Sequence, residues 1–342
     1  MNNEIRSNIL GDLRAEADGE MLEGAFYESP DYRTLLESRR TPIVVGRRGT
    51  GKSAIAYKLK KYFSGQDKTK VVSISPEEDQ VIGIRPLLAL FGDKFNHIKR
   101  GALLTWKYAI YLSILEKIAP HYKLKKLPQY PNFEKHLERW HRLGGGFSAR
   151  YRALLKESLE RYSSAEERIA SMAEDLELAR LESDIDEALL ALGNRAVILV
   201  DKMDEGYEPD DIGIAFVDGV MQAMIEINDR RDSFMSLIFL RDNIFRSVAL
   251  KDPDYSRNIE GQVLRLHWDE YHLFSLVCAR LKVAFEVDEE KSIRIWNKFT
   301  TDNLCGSEGF RFCLQFTLYR PRDILSLLNK AFFPPQNRVG RP

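Results

Sequence analysis

One stretch of the sequence, Thr41 to Ile55, constrains the fold and the function more than any other part of the chain. A short β-branched run, Ile43 to Val45, leads into a segment punctuated by glycines, and a helix-forming segment, Ala54 to Phe63, follows. The middle segment, GRRGTGKS, fits the pattern G-x-x-x-x-G-K-[ST] at every fixed position. This order predicts a strand, a phosphate-binding loop and a helix.

Phosphate binding explains why these residue types stand at these positions. Glycines let the backbone turn sharply and bring its N–H groups onto phosphate oxygens, and the N-terminal end of the following helix favours the same anion. We expect Lys52 to reach the β- and γ-phosphates and the Ser53 hydroxyl to take a Mg²⁺ coordination position. The sequence therefore predicts a nucleoside triphosphate site formed by Gly46, Arg47, Arg48, Gly49, Thr50, Gly51, Lys52 and Ser53.

An acidic segment follows a second buried strand. The continuous apolar run Ala196 to Val200 has strand length, and Asp201 comes directly after it. A carboxylate at the carboxyl end of a buried strand is where a Mg²⁺ site needs an anion, so Asp201 is the predicted metal ligand beside Ser53. Asp204 and Glu205 are candidates to orient or deprotonate the attacking water, and their spacing leaves open which of them is the base.

Three further strand-like runs complete the predicted sheet. They are Val71 to Ser75, Ser236 to Leu240 and Val263 to Leu266. Arg241 and Asp242 follow the second of these, where a polar side chain can reach the γ-phosphate or the water, or form an ordinary surface turn. Five strands with helical connections predict an α/β fold built on a mostly parallel sheet.

The remaining segments are predicted to be largely helical. Residues 1–40 form a polar arm that lies across the sheet edge or nucleotide pocket, or is a solvated leader. Residues 41–266 form the α/β core, with a helical insertion at about 77–195 that offers a surface for a protein partner or for self-association. Residues 267–334 form a helical lid, opened late by the helix signal Arg320-Pro321-Arg322-Asp323, and residues 335–342 form a tail.

Composition limits the classes of partner. Lys plus Arg and Asp plus Glu both number 51, so the net charge of zero argues against a strongly basic nucleic-acid binder. Residues 94–126 nevertheless concentrate lysines and aromatic residues, which leaves a local patch or a solvated helical face as alternatives. No apolar run approaches the roughly 18 residues of a membrane span, and the acidic start does not fit a secretory signal. We expect a cytoplasmic protein without membrane association.

Several segments together carry a family resemblance. The chain resembles the regulatory P-loop ATPases of the additional-strand division, the AAA+/STAND-like proteins, including origin-recognition-type and bacterial defence-associated members. The resemblance rests on the segments GRRGTGKS, VILVDKMDE, LRDN, LRLHWDEYHLFSLVCARL and YRPRDILSLLNKA. It implies a P-loop NTPase sheet of five strands with a C-terminal helical lid, and ATP and Mg²⁺ as cofactors.

The resemblance also implies roles for three arginines. A lid arginine, Arg320 or Arg322, would sense the γ-phosphate, and Arg241 would be the sensor at a strand end. The segment DKMDE departs from the adjacent Asp-Glu pair of typical members, and the helical insertion is long. Both departures argue for slow hydrolysis and against a standard hexameric ring.

The expected function is therefore an ATP-dependent conformational switch, with bacterial phage defence among the roles that the resemblance implies. A P-loop small-molecule kinase and an origin-recognition-like, DNA-associated ATPase are the alternatives. Guanine recognition usually needs an Asn/Thr-Lys-x-Asp element, which the sequence lacks, so ATP is favoured over GTP.

Overall fold

The computed structural model describes residues 8–160, 164–203, 206–300, 303–304 and 307–332. The chain forms two compact units. The sheet unit contains Glu37–Gly46 and Lys58–Arg265. The C-terminal unit contains Met1–Leu36, Arg47–Tyr57 and Leu266–Pro342. The predicted division into 1–40, 41–266, 267–334 and 335–342 stays a prediction.

The sheet unit is built on five parallel strands in the order β2-β3-β4-β1-β5. The strands are β1 Ile43–Gly46, β2 Thr69–Ile74, β3 Arg195–Val200, β4 Phe234–Arg241 and β5 Val263–Arg265. Nearly every residue of β1, β3 and β4 is buried, as expected for parallel strands covered on both faces. The predicted α/β class and all five predicted strands are confirmed.

Helices account for most of the remaining described chain. Their bounds are α1 Gly19–Gly24, α2 Pro30–Glu37, α3 Lys52–Ser64, α4 Glu78–Ile82, α5 Arg85–Leu88, α6 Phe95–Ile118, α7 Tyr130–Arg142, α8 Phe147–Leu159, α9 Ala165–Asp175, α10 Leu178–Leu192, α11 Asp211–Arg230, α12 Asp242–Lys251, α13 Pro253–Ile259, α14 Glu270–Ala284, α15 Ser292–Phe299, α16 Gly309–Leu314 and α17 Pro321–Ala331. Short 3₁₀ turns lie at Ala89–Phe91, Leu124–Lys126 and Glu260–Gln262. Among the described residues, no helix combines the length and the apolar character needed to cross a membrane.

Helix α6 is the centre of the sheet unit. Every residue from Gly101 to Leu115 is buried, and the helix packs against α11, β2, α8, α9 and α10. The approach to α11 is close, because a Cβ on Gly219 would lie 2.4 Å from the carbonyl oxygen of Lys99. A helix that is apolar on all sides belongs in a core. Residues 101–115 of α6 therefore lie in the core of this unit and present no exposed face to a partner.

The C-terminal unit joins the N-terminal residues to the helices after residue 266. Asn329 of α17 accepts a hydrogen bond from the Leu10 N–H at 2.7 Å and donates one to the Gly11 carbonyl at 3.1 Å. The buried guanidinium of Arg280 in α14 pairs with Asp18 at 2.6 Å. These bonds make residues 10–18 an integral part of the unit.

The region after Trp268, predicted as a helical lid, also contains two short strands. Two short antiparallel strands, β6 Asn303–Leu304 and β7 Ser307–Glu308, interrupt it. Helix α17 begins at Pro321 with Asp323 in its first turn, as the sequence signal predicts.

One buried carboxyl group in the sheet unit is poorly compensated. Asp218 of α11 is completely buried, and its Oδ2 atom has no hydrogen-bond partner among the described residues. The Lys99 ammonium lies 3.6 Å from Asp218 but only 2.6 Å from Asp252. Its closer ion pair is therefore with Asp252. Burial raises the pKa of Asp218 to about 6, and Lys99 opposes this only in part.

We expect Asp218→Asn to stabilise the protein above pH 6. The folded-state pKa of about 6 lies above the ordinary value of 3.8, so the stability that the neutral carboxyl contributes below pH 3.8 is lost as pH rises through about 6. The loss amounts to about 3 kcal/mol at pH 8. Thermal unfolding from pH 4 to pH 8 should show a variant–wild-type difference that grows between pH 4 and about 6 and stays constant above it. The exposed Asp254→Asn is the control, and an equal effect there would contradict the assignment.

Candidate functional site

The glycine-rich loop, residues 46–53, begins at the last residue of β1 and ends in the first turn of α3. Gly49 and Gly51 have φ angles of +88° and +90°, which side-chain-bearing residues rarely adopt. A Cβ on Gly49 would lie 3.0 Å from the Cβ atom of Arg322, whereas one on Gly51 would meet no heavy atom within 4 Å among the described residues. The two glycines are therefore needed for the backbone path, and Gly49 also for the close approach of Arg322.

The loop closes on itself through the carbonyl of Arg47. The buried Lys52 ammonium donates to this oxygen at 3.1 Å, and the Thr50 hydroxyl donates to it at 2.8 Å. The Thr50 N–H reaches the same oxygen at 3.3 Å. Arg47 and Arg48 themselves are exposed. The ammonium of Lys52 is thus held inside the curve of the loop.

The next three carbonyls of the loop accept hydrogen bonds from the C-terminal part of the same unit. Arg48 O accepts from the Arg320 guanidinium at 3.0 Å, Gly49 O from the Arg322 N–H at 3.2 Å, and Thr50 O from the Trp268 indole N–H at 2.9 Å. In a trans peptide the C=O and N–H point to opposite sides. The N–H groups of Gly49 and Gly51 consequently point away from these donors.

These N–H groups remain available. The N–H groups of Gly49, Gly51 and Ser53 donate no hydrogen bond to another described residue. Ser53 lies in the first turn of α3, where backbone N–H groups have no partner within the helix. The arrangement is a concentration of backbone donors at the positive end of a helix, which suits an anion.

The two arginines at the start of α17 have different environments. All three nitrogen atoms of the Arg320 guanidinium donate hydrogen bonds within the protein. Nε and Nη2 donate to the Asp323 carboxylate at 2.7 Å and 3.1 Å, and Nη1 donates to the Arg48 carbonyl. The Arg322 side chain lies along Gly49, and its guanidinium makes no hydrogen bond with any described residue. Of the two predicted sensors, Arg322 is therefore the one with donors to offer a ligand.

Trp268 was not predicted as a site residue, although the structure places it on the loop. Its ring lies 6.3 Å from that of Tyr27, and the neighbouring His267 N–H donates to Asp31 at 3.0 Å. The N-terminal segment thus supports the residue that holds Thr50. No local sequence signal identifies this contact, because the partners are 218 positions apart in the chain.

The sheet unit brings the other predicted residues to the carboxyl edge of its strands. Gly46, the first glycine of the motif, pairs with Arg241 at the ends of β1 and β4. Asp201, which is 7% exposed, follows Val200, and its N–H donates to the Ile74 carbonyl at 2.9 Å. Lys202 has a φ of +64°, so the chain turns sharply directly after this carboxylate.

The remaining predicted residues at this edge have other surroundings. Asp242 is paired with Arg246 at 2.9 Å in the first turn of α12, as an ordinary helix-start contact. Asp204 and Glu205 lie outside the described residues. Within the described part of the chain, no group of three or more His, Cys, Asp or Glu side chains could hold a metal ion.

Comparison with known proteins finds similarity to one domain family and to curated relatives. Residues 271–341 match the FunZ-associated C-terminal helical domain. The chain is 45% identical over 334 residues to an Escherichia coli (strain K12) protein named "Putative transposon gamma-delta 80.3 kDa protein", covering 97% of this chain and 48% of that protein. It is also 64% identical over 95 residues to Allergen Alt a 2 of Alternaria alternata, covering 28% of this chain and 50% of the allergen.

The chain thus spans about half the length of the curated relatives it matches. No solved structure matches it. The family match includes the start of α17, whose Arg320 and Arg322 contact the glycine-rich loop, whereas Trp268 lies before the matched residues.

We expect alanine substitutions at the two loop glycines to differ in cost. Gly51→Ala meets no neighbour and should lose about 1–2 kcal/mol of unfolding free energy from backbone strain. Gly49→Ala should lose about 1–3 kcal/mol more, because its new Cβ also collides with Arg322. Chemical denaturation of both variants measures the difference. Equal losses would show that Arg322 does not lie against the loop.

Proposed function

We propose that the protein binds ATP with Mg²⁺ through the glycine-rich loop and acts as a nucleotide-dependent conformational switch that hydrolyses ATP slowly. One observation carries the proposal: the loop carbonyls are hydrogen-bonded on one side, and the N–H groups of Gly49 and Gly51 are left available on the other. A cradle of N–H donors is the feature by which a backbone binds phosphate oxygens.

The side chains of the loop fit the same ligand. Lys52 is held within the loop by the Arg47 carbonyl, and phosphate oxygens would be stronger acceptors for its ammonium. A methyl group on Gly51 would meet no described heavy atom within 4 Å, so a ligand oxygen finds no steric barrier there. The residues present therefore fit a triphosphate.

The order of the strands supports an ATPase of the additional-strand division. Strand β4 lies between β1, which leads into the loop, and β3, which leads into Asp201. The resemblance drawn from the sequence implies one strand inserted between these two motifs. Arg241, at the end of that inserted strand and beside Gly46, is the proposed sensor.

Ser53 and Asp201 are the proposed Mg²⁺ ligands, because their oxygen atoms are the ligand type that this ion prefers, and the assignment rests on their sequence positions. When bound, the ion neutralises charge that develops on the phosphate oxygens. Asp204 and Glu205 are the proposed residues for orienting or deprotonating the attacking water, and the assignment rests on their sequence position alone.

The contacts of the loop suggest how nucleotide binding is transmitted. Three hydrogen bonds join the loop backbone to Trp268, Arg320 and Arg322, and these residues begin the segments that lead into α14 and α17. A ligand that changes the backbone of residues 48–50 must change these bonds too. The C-terminal helices are therefore the proposed moving part of the switch.

A role in a transposon is a second, broader candidate. It rests on the name of the Escherichia coli relative, which is 45% identical to this chain. In that setting the ATPase switch would act together with nucleic acid.

We expect Lys52→Ala to weaken ATP binding by about 10- to 100-fold, because a charge-assisted hydrogen bond to phosphate is lost. Titration with a fluorescent ATP analogue measures the change, and ATP turnover without an added acceptor separates an ATPase from a kinase. Lys60→Ala, an exposed lysine of the same helix, is the matched control. A folded Lys52→Ala variant that binds ATP as tightly as wild type would contradict the proposal.

Substitutions of the two arginines at the start of α17 should have different effects, one on γ-phosphate recognition and the other on stability. We expect Arg322→Ala to lower the ratio of ATP to ADP affinity by about tenfold, because its guanidinium is the available donor for a γ-phosphate. Arg320→Ala should chiefly lower the melting temperature, since it breaks the bonds to Asp323 and Arg48. Binding titrations and thermal unfolding of both variants test this. The reverse pattern would assign the sensor to Arg320.

A further inference from the structure

A strongly basic segment joins α6 to α7 in the sheet unit. We name residues 117–126 the basic turn. From Lys117 to Phe133 the sequence contains four lysines and no Asp or Glu, although the whole chain has equal numbers of basic and acidic residues. The concentration of positive charge is therefore local.

The backbone of the basic turn is well defined. Leu124 is fully buried in the core of the sheet unit and anchors the turn. Successive hydrogen bonds join His121 N to Ile118 O at 2.9 Å, Leu124 N to His121 O at 2.9 Å, and Lys126 N to Lys123 O at 3.0 Å. Because the anchor points inward, the flanking side chains are directed to solvent from a backbone that these bonds define.

The charges of the turn are not neutralised by the protein. Its four lysines are exposed, and none forms an ion pair with a described residue: Lys117, Lys123, Lys125 and Lys126. Two other lysines of the stretch 94–126 behave differently, since Lys99 pairs with Asp252 at 2.6 Å and Lys107 with Glu226 at 2.9 Å. The predicted patch thus has two parts. Lys99 and Lys107 are paired with carboxylates, whereas the lysines of the basic turn are not.

An exposed aromatic ring lies among these lysines. Tyr122 is 67% exposed, and the ammonium groups of Lys123 and Lys126 lie 5.9 Å and 6.0 Å from its ring centre. The His121 ring stacks on it with a centroid distance of 5.3 Å and an interplanar angle of 13°. Cations around an exposed ring form the combination by which proteins bind single strands, with phosphates on the cations and a base on the ring.

We propose that the basic turn is a binding surface for single-stranded nucleic acid. Lys117, Lys123, Lys125 and Lys126 contact phosphates, and Tyr122 stacks on a base. An anionic membrane would use the lysines, but the turn presents no apolar face to insert. An acidic peptide would leave the exposed ring without a role. The inference is independent of nucleotide binding at the glycine-rich loop.

Fluorescence anisotropy with a labelled oligothymidine of about 20 nucleotides tests the proposal. Four phosphate contacts predict that wild-type affinity falls roughly 50-fold between about 50 mM and 200 mM salt. The variant with Lys123, Lys125 and Lys126 changed to Gln retains one contact, so its affinity should fall roughly 3-fold over the same range. Tyr122→Ala should weaken binding on the order of tenfold without changing the salt dependence, whereas Tyr122→Phe should bind like wild type.

The control variant changes three exposed lysines elsewhere, Lys68, Lys282 and Lys298, to Gln. It removes the same charge and should keep the wild-type affinity and salt dependence. The proposal is overturned if wild type does not bind the oligonucleotide at about 50 mM salt. It is equally overturned if both triple variants lose the same affinity, or if wild type binds vesicles of anionic phospholipid and not the oligonucleotide.

Discussion

The orientation of three consecutive peptide groups, those beginning at Arg48, Gly49 and Thr50, determines what the glycine-rich loop offers to a ligand. Their carbonyls are hydrogen-bonded to residues that follow position 266, so their N–H groups are directed to the other side. The glycines permit this path, but the donors from Trp268 and from the start of α17 select it. The C-terminal helical region thus helps to determine the backbone conformation of the loop through these hydrogen bonds.

Net charge is a poor guide to the surface of this protein. Some lysines are neutralised in the interior, as with Lys107, which lies between Glu182 at 3.5 Å and Glu226 at 2.9 Å. Such pairs remove charge from the surface, whereas the lysines of the basic turn leave theirs exposed. Zero net charge over 342 residues therefore conceals an uneven distribution, which only the folded arrangement reveals.

The sequence predicted the parts of the fold that depend on local pattern. Apolar runs of strand length located β1, β3 and β4, and Pro321 followed by Asp323 located the start of α17. Contacts between distant residues had no such signal, as with Arg320 and the Arg48 carbonyl, 272 positions apart. Helix α6 lies in the segment predicted as a helical insertion, but the burial of its residues 101–115 depends on packing against α11, which lies far along the chain. For Asp201, the sequence predicted the position at the end of a buried strand but not the contacts around it.

The bond between Leu10 and Asn329 joins residues 319 positions apart, and it has a consequence for the order of events on the ribosome. The sheet unit has all its segments once residue 265 has been synthesised, whereas the C-terminal unit lacks α17 until residue 331 has followed. Residues 47–57 belong to this later unit, although they are made among the first. A nascent or prematurely terminated chain therefore contains the loop sequence without the bonds that shape it.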